Sequence, residues 1–295
     1  MLETNDNFRP QEALLEWYDR HRRTLPWRAN PHPYAVFVSE LMLQQTQVDR
    51  VIPYFERFVV SFPSFEALAA APRAEVIRLW SGLGYNRRAV HLHEAARIVV
   101  ECHGGQLPSD RAALEALPGI GPYTAGALLS IVFGQPEAAP DTNVRRVIGR
   151  YAVGGAAPPG KVDEAVRRLV PSARAGDWNQ ALMDLGSAVC LGIKARCLIC
   201  PLRPGCRSAG HVFRRASHPI DLYASSSRFY RGRLLAALAQ LPVGNIESLE
   251  RVSKNLVARG VAEPQAGWRA VGEALVRDGL ARIEPLADGI GIGLA

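Results

Sequence analysis

The sequence predicts an all-α protein of 295 residues that closes in a small module, and three observations predict it. Apolar residues recur at three- and four-residue intervals from Pro10 to about Arg150, Gly and Pro fall at the joints between these runs, and strand-like alternation is almost absent there. EALLEWYDRH, VFVSELMLQQTQVDRVIPYFERFVVSF, FEALAAA, AEVIRLWSGL, AVHLHEAARIVVECH and AALEALP are the successive helical segments. VDEAVRRLV and DWNQALMDLGSAVC continue the pattern and lead into a cysteine-rich loop. Residues 207–227, ending on the Ser-rich YASSSR, read as a linker. Beyond it RGRLLAALAQL, IESLERVSKNLVARG and GWRAVGEALVRDG predict three short helices, and RIEPLADGIGIGLA predicts two short strands turning at Asp288-Gly289. Three helices followed by a hairpin suggest a winged helix over residues 228–295; a plain packing module fits the same pattern.

Hydrophobic content of 48% and 21% charged residues are ordinary for a globular chain with a sizeable core. The polar, acidic start MLETNDNFRPQEALLEWYDR is unlike a signal peptide, and no apolar run approaches a membrane span. A soluble cytoplasmic protein without a membrane partner is therefore expected. A net charge of +7 and a pI near 9.4 favour polyanionic partners, nucleic acid above all. The basic residues gather in HRRTLPWR, YNRRAVH, NVRRVIGR and HVFRRASH, each of which also fits a solvated helix face.

Four of the five cysteines lie between Cys190 and Cys206, separated by six, two and five residues. In a reducing compartment such clustering argues for metal rather than disulfides. Zinc sites usually pair their thiolates into two close halves, and only Cys197 and Cys200 form such a pair here. The stand-off of Cys190 and Cys206 suits a loop wrapped around a larger object, a 4Fe–4S cluster. Spacing favours the cluster and leaves zinc open. Cys102, far away in VVECHGG, has no evident special role.

LPGIGPYTAGALLS, residues 117–130, places Gly119 and Gly121 in a tight turn between two helices. Glycine allows close backbone approach and positive φ, and the helix that follows offers unpaired N–H groups to a phosphate. This is the pattern of a helix-hairpin-helix, which grips the sugar–phosphate backbone without reading sequence; an ordinary helix–helix turn is the alternative, since Gly-x-Gly alone is a weak signal. Asp141 follows in FGQPEAAPDTNVRRVIGR, after a Gly/Pro-rich loop. Glu40, in VFVSELMLQQT, is flanked by apolar residues that favour a neutral, proton-donating carboxyl group; the alternative is a helix N-terminal charge beside Ser39.

Over residues 10–206 these motifs, in this order, resemble the endonuclease III and MutY-type DNA glycosylases, and VSELMLQQTQV resembles the MutY-type adenine glycosylase motif. The resemblance implies a helix-hairpin-helix glycosylase fold over residues 1–206. Its two helical lobes would be a six-helix barrel over about 30–135 and an iron–sulfur lobe from 1–29 and 136–206. It implies that Glu40 protonates a flipped adenine and later serves water activation, and that Asp141, with Asn143 beside it, stabilises an oxocarbenium-like sugar. Tyr123 stands where bifunctional relatives carry a Schiff-base lysine, which implies base excision without strand cutting. Leu25, Trp27 and Arg28 of LPWR match the entrance of the adenine pocket, and Gln180 matches a contact to the adenine edge. Gln45 and Tyr85 match the wedges that fill the stack vacated by the flipped base. Gly119, Gly121, Lys194 and Arg196 would touch the DNA backbone, and Cys190, Cys197, Cys200 and Cys206 would hold a largely structural 4Fe–4S cluster. The implied substrate is double-stranded DNA with adenine opposite 8-oxoguanine or guanine, in base excision repair at the nucleoid, and a monomer is expected.

Three positions depart from the family pattern. Thr142 replaces the usual glycine after the aspartate, Asn86 replaces a second tyrosine of the wedge loop, and the tail is too short and helical for the Nudix-like domain that typically reads 8-oxoguanine. A thymine or uracil mismatch glycosylase is the nearest rival; a non-catalytic regulator would have lost Glu40 or Asp141, and both are present.

Overall fold

A computed structural model describes residues 8–29, 31–155, 158–211, 226–287 and 289–295. The chain order is α1 (Pro10–His21), α2 (Pro26–Ala29), α3 (Pro33–Leu43), α4 (Val48–Ser61), α5 (Phe65–Ala70), α6 (Arg73–Trp80), α7 (Arg87–His103), α8 (Arg111–Ala116) and α9 (Pro122–Ile131). It continues with α10 (Thr142–Ile148), a π-helical turn (Gly149–Val153), α11 (Pro159–Leu169), α12 (Ala175–Ala188) and α13 (Ser227–Leu238). Then come β1 (Glu247–Ser248), α14 (Leu249–Ala258), α15 (Gly267–Arg277), β2 (Ala281–Leu286) and β3 (Gly289–Leu294). Among the described residues no helix is long and apolar enough to cross a membrane.

Local chemistry sets many of these boundaries. Proline opens α1, α2, α3, α9 and α11, where its missing N–H costs nothing. Ser64, Asp141 and Ser226 cap α5, α10 and α13 by accepting the N–H three residues on. Gly104, in the left-handed region, stops α7.

Two compact units result. The first comprises residues 1–40, 108–116 and 120–218; the second comprises 41–107, 117–119 and 219–295. The breaks between them fall inside α3, on either side of α8 and between Gly119 and Ile120. The core of the first unit is built from Leu14, Trp17, Tyr18, Val144, Ile148, Val166, Trp178 and Leu182. Complete burial of such side chains contributes roughly 1.5–3 kcal/mol each.

In the second unit α13–α15 and the sheet do not keep a core to themselves. Leu234, Leu238, Leu249, Trp268, Leu275 and Ile292 share one cluster with Ala74, Ile77 and Val90 of α6 and α7. The expected hairpin is present, as β2 and β3 pair antiparallel with Ile283 opposite Ile292. A strand the sequence did not suggest, the two-residue β1, pairs with the other edge of β3 and gives the order β1-β3-β2. Two residues are too few for alternation to register. Residues 228–295 thus combine three helices with one edge-to-edge sheet. Most of the expected linker, together with nearly all of the HVFRRASH cluster (212–218), lies outside the described residues, as does Asp288.

Candidate active site

Glu40 lies in the body of α3, seven residues after the helix begins, so it is no N-terminal charge. Its side chain is 6% exposed, and Oε2 is a buried oxygen with no hydrogen-bond partner. Burial pushes its pKa up to about 7, and the Asp141 carboxylate adds to the effect; the Tyr123 hydroxyl, which bonds the Glu40 carboxyl group, and the Arg28 charge pull it back. Tyr123 is itself driven well above an ordinary phenol, by burial first and then by the charges of Glu40 and Asp141, so it stays neutral and donates. Its oxygen also lies 3.9 Å from Met183 Sδ.

Arg28 is held in place by a residue the sequence reading did not single out. Asp184, 2% exposed on α12, accepts from Arg28 Nη1 at 2.7 Å and Nη2 at 3.2 Å, and from Arg23 Nε at 2.7 Å. The pair is bidentate and largely shielded, a geometry suited to arginine. Leu25 and Trp27 are 5% exposed and serve as packing for this segment. The Tyr18 hydroxyl donates to Gln180 Oε1 at 3.3 Å, and the Arg28 guanidinium stands 5.8 Å over the Tyr18 ring.

Asp141 is bonded on both oxygens. Oδ1 accepts from Val144 N at 2.6 Å as the cap of α10, and Oδ2 accepts from Asn143 Nδ2 at 3.0 Å. The chain of bonds continues, because Arg146 Nη2 donates to Asn143 Oδ1 at 2.8 Å and Nε donates to the Cys190 carbonyl at 2.9 Å. Gly186 permits this approach of α12 to α10, since a Cβ there would stand 2.7 Å from Asn143 Cβ. Thr142 in place of the family glycine occupies the first helical position of α10, which asks for no unusual backbone freedom.

Cys190, Cys197, Cys200 and Cys206 line one cavity, together with Arg150, Arg196 and Arg203. Among the described residues no three Cys, His, Asp or Glu side chains converge tightly enough for a single ion. Burial raises the Cys200 thiol to about 11 and also lifts Cys206. Buried thiolates here would need a strong positive partner, which an iron–sulfur cluster supplies. The residues thus fit a four-cysteine cluster. Arg150, turned inward by the π-helical turn, braces the loop by donating to Cys190 Sγ at 3.5 Å and to the carbonyls of Leu191 and Gly192, each at 2.6 Å. Lys194 and Arg196 are exposed on the same loop.

The remaining sequence candidates fall as follows. Gly121, in the first unit, is extended and caps α9, so its backbone does not need the positive φ expected of it. In the second unit Gly119 does adopt φ +81°, with its would-be Cβ 3.0 Å from His91. Gln45 and Tyr85, also in that unit, are exposed and take φ of 57° and 48°, two of the three non-glycine residues in the left-handed region among those described. The basic clusters are not simply solvated faces, because Arg88 and Arg150 are 7% and 8% exposed.

The profile of the HhH-GPD superfamily of base excision DNA repair proteins matches residues 38–172. The adenine DNA glycosylase of Mycolicibacterium smegmatis is 39% identical over 282 residues, which cover 94% of this chain and 93% of that protein. The chain belongs to the MutY-type adenine DNA glycosylase family. The mouse adenine DNA glycosylase is 44% identical over 215 residues, 68% of this chain; the chain spans only 42% of that mammalian member of the family. Among solved structures, a thermostable thymine-DNA glycosylase aligns with a TM-score of 0.62 and 32% identity, over 68% of this chain and 94% of that one. A trapped endonuclease III–DNA covalent intermediate aligns with a TM-score of 0.58 at 22% identity, over 68% and 93%, and shares the fold of this family member.

Proposed function

We propose that this protein is a monofunctional DNA glycosylase that removes adenine mispaired with 8-oxoguanine or guanine. The observation that carries the reading is Glu40, a buried carboxyl group with a pKa near 7 and an oxygen left without a partner. Near neutral pH much of it is protonated, and a ring nitrogen of the flipped adenine would satisfy the orphaned site. Protonation lets the base depart neutral as the N-glycosidic bond breaks. Positive charge develops on the deoxyribose, and the Asp141 carboxylate, fixed by Val144 and Asn143, offsets it. Water then adds at the sugar carbon and gives its proton to the Glu40 carboxylate, which restores the acid. Tyr123 orients Glu40 and supplies no amine, so no Schiff base forms and no strand is cut.

Residues 1–206 would carry the chemistry. Leu25, Trp27, Arg28 and Gln180 would bound the adenine pocket, and Gln45 and Tyr85 would enter the base stack. Gly119, Gly121, Lys194 and Arg196 would seat the phosphates. Cys190, Cys197, Cys200 and Cys206 would hold a 4Fe–4S cluster, which would cross-link the loop through their thiolates; the fit of the cysteine-lined cavity supports it. The protein would act as a monomer on duplex DNA, with residues 228–295 as a winged-helix-like module.

The likeness to a thymine-DNA glycosylase favours one second reading, thymine excision from mismatches. Duplexes carrying A opposite 8-oxoguanine, A opposite G, T opposite G and U opposite G separate the two, with alkali used to reveal abasic sites. Adenine loss from the first two is expected; loss of T or U alone would overturn the proposal, and cutting without alkali would overturn its monofunctional part.

A further inference from the structure

Arg88, in the first turn of α7, spends every nitrogen of its side chain on one task. Nη1 donates to the carbonyls of Leu41 at 2.8 Å, Met42 at 2.7 Å and Gln44 at 2.5 Å. Nη2 donates to Thr46 Oγ1 at 3.0 Å and to the Gly84 carbonyl at 2.9 Å, and Nε donates to the Tyr85 carbonyl at 3.2 Å. The guanidinium also lies over two rings, 5.2 Å from the centroid of Trp80 and 5.5 Å from that of Tyr85.

These acceptors belong to three places: the last turn of α3, the loop 44–46 and the loop 84–85. Helix-end carbonyls lack intrahelical partners and carry partial negative charge, so a buried cation suits them. The two loops each hold a non-glycine residue in the left-handed region, Gln45 and Tyr85, a conformation that persists only where its surroundings impose it. Arg88 bonds the carbonyl just before Gln45 and the carbonyl of Tyr85 itself. Around it, Gln44 Nε2 donates to the Gly119 carbonyl at 3.1 Å, which ties the first loop to the turn at Gly119, and Arg50 Nη2 of α4 donates to the Gly82 carbonyl just before the second.

We propose that Arg88 is a positioning residue for base extrusion, a single buried cation that locks the loops of Gln45 and Tyr85 in one mutual register so that both side chains enter the base stack as a unit. This rests on the reading of Gln45 and Tyr85 as wedges given above. A planar fork with five donors can reach both loops at once, which the point charge of a lysine cannot. Arg87, its exposed neighbour, is left to face solvent.

The test uses the full chain and a duplex with 2-aminopurine at the target position, whose fluorescence rises when the base leaves the stack. Two variants are compared with wild type, Arg88→Lys and Thr46→Val; the second removes one acceptor from a partly exposed loop residue. Arg88→Lys is expected to bind the duplex with near wild-type affinity yet to extrude and excise about 10- to 100-fold more slowly, the cost of a small misplacement. Thr46→Val is expected to slow extrusion about fivefold, the worth of one hydrogen bond. Wild-type extrusion in both variants overturns the proposal. So does wild-type extrusion by Thr46→Val if Arg88→Lys fails to fold, and so does a loss of extrusion that merely follows a loss of duplex affinity. Extrusion is read independently of excision, so a wild-type protein that extrudes but excises no adenine counts against the proposed function and leaves Arg88 judged on extrusion alone.

Discussion

Glu40 and Arg88 are both charged residues that the fold has buried, and they are treated in opposite ways. Glu40 in the first unit keeps one oxygen without a partner and a pKa lifted to about 7. Arg88 in the second unit has acceptors for all three nitrogens, and although burial lowers its pKa to about 10 it remains a cation at neutral pH. On the proposed function, the contrast is that between a reacting group and a positioning group. A group that must gain and lose a proton is left incompletely satisfied, whereas one that must hold a shape is bonded to completion.

The largest expected effect would test the reacting side. Glu40→Gln is expected to lower adenine excision by about 10²- to 10⁴-fold, and Asp141→Asn by about 10²- to 10³-fold, in single-turnover assays with duplex affinity little changed. A wild-type rate in Glu40→Gln would remove Glu40 from the reacting class, and one in Asp141→Asn would remove Asp141. Next comes the brace behind Arg28. Asp184→Asn weakens the pairing of a buried carboxylate with two partly exposed arginines and is expected to cost about 1–3 kcal/mol of stability, measurable by denaturant unfolding.

An effect of similar size has the opposite sign. Because the folded-state pKa of Glu40 is raised, the neutral form is the one the fold favours, and stability is lost as pH rises from about 4.5 through about 7. Glu40→Gln is therefore expected to be more stable than wild type by roughly 1–3 kcal/mol at about pH 8, with the advantage gone below about pH 4.5. Thermal melts of both proteins across that range check it. The smallest effect is at the exposed cysteine loop, where Lys194→Ala is expected to weaken duplex binding about equally for all sequences. It should also reduce the slope of log affinity against log salt by about 1.

Much of this was legible in the sequence because it is encoded locally. Helical periodicity, proline at helix starts and the spacing of four cysteines are patterns within short windows, and Glu40, Tyr123 and Asp141 stand inside such windows. Asp184, Arg146 and Arg88 were not legible as site residues. Most of their partners lie 40 or more positions away, as with Arg28 to Asp184 at 156 and Arg146 to Cys190 at 44, and no short window connects them. Arginine doublets also conceal a division of labour: in Arg87-Arg88 one side chain faces solvent and the other is buried. Charge counting reads both as surface. β1 went unseen for a related reason, since two residues become a strand only when β3 arrives beside them.

The pH dependence of single-turnover adenine excision is the most direct test of Glu40 as the proton donor. The rate is expected to be highest below about pH 7 and to fall about tenfold per pH unit above it, following loss of the Glu40 proton. A wild-type rate that stays level from about pH 5 to about pH 9, or a Glu40→Gln variant that retains the wild-type rate, would contradict it.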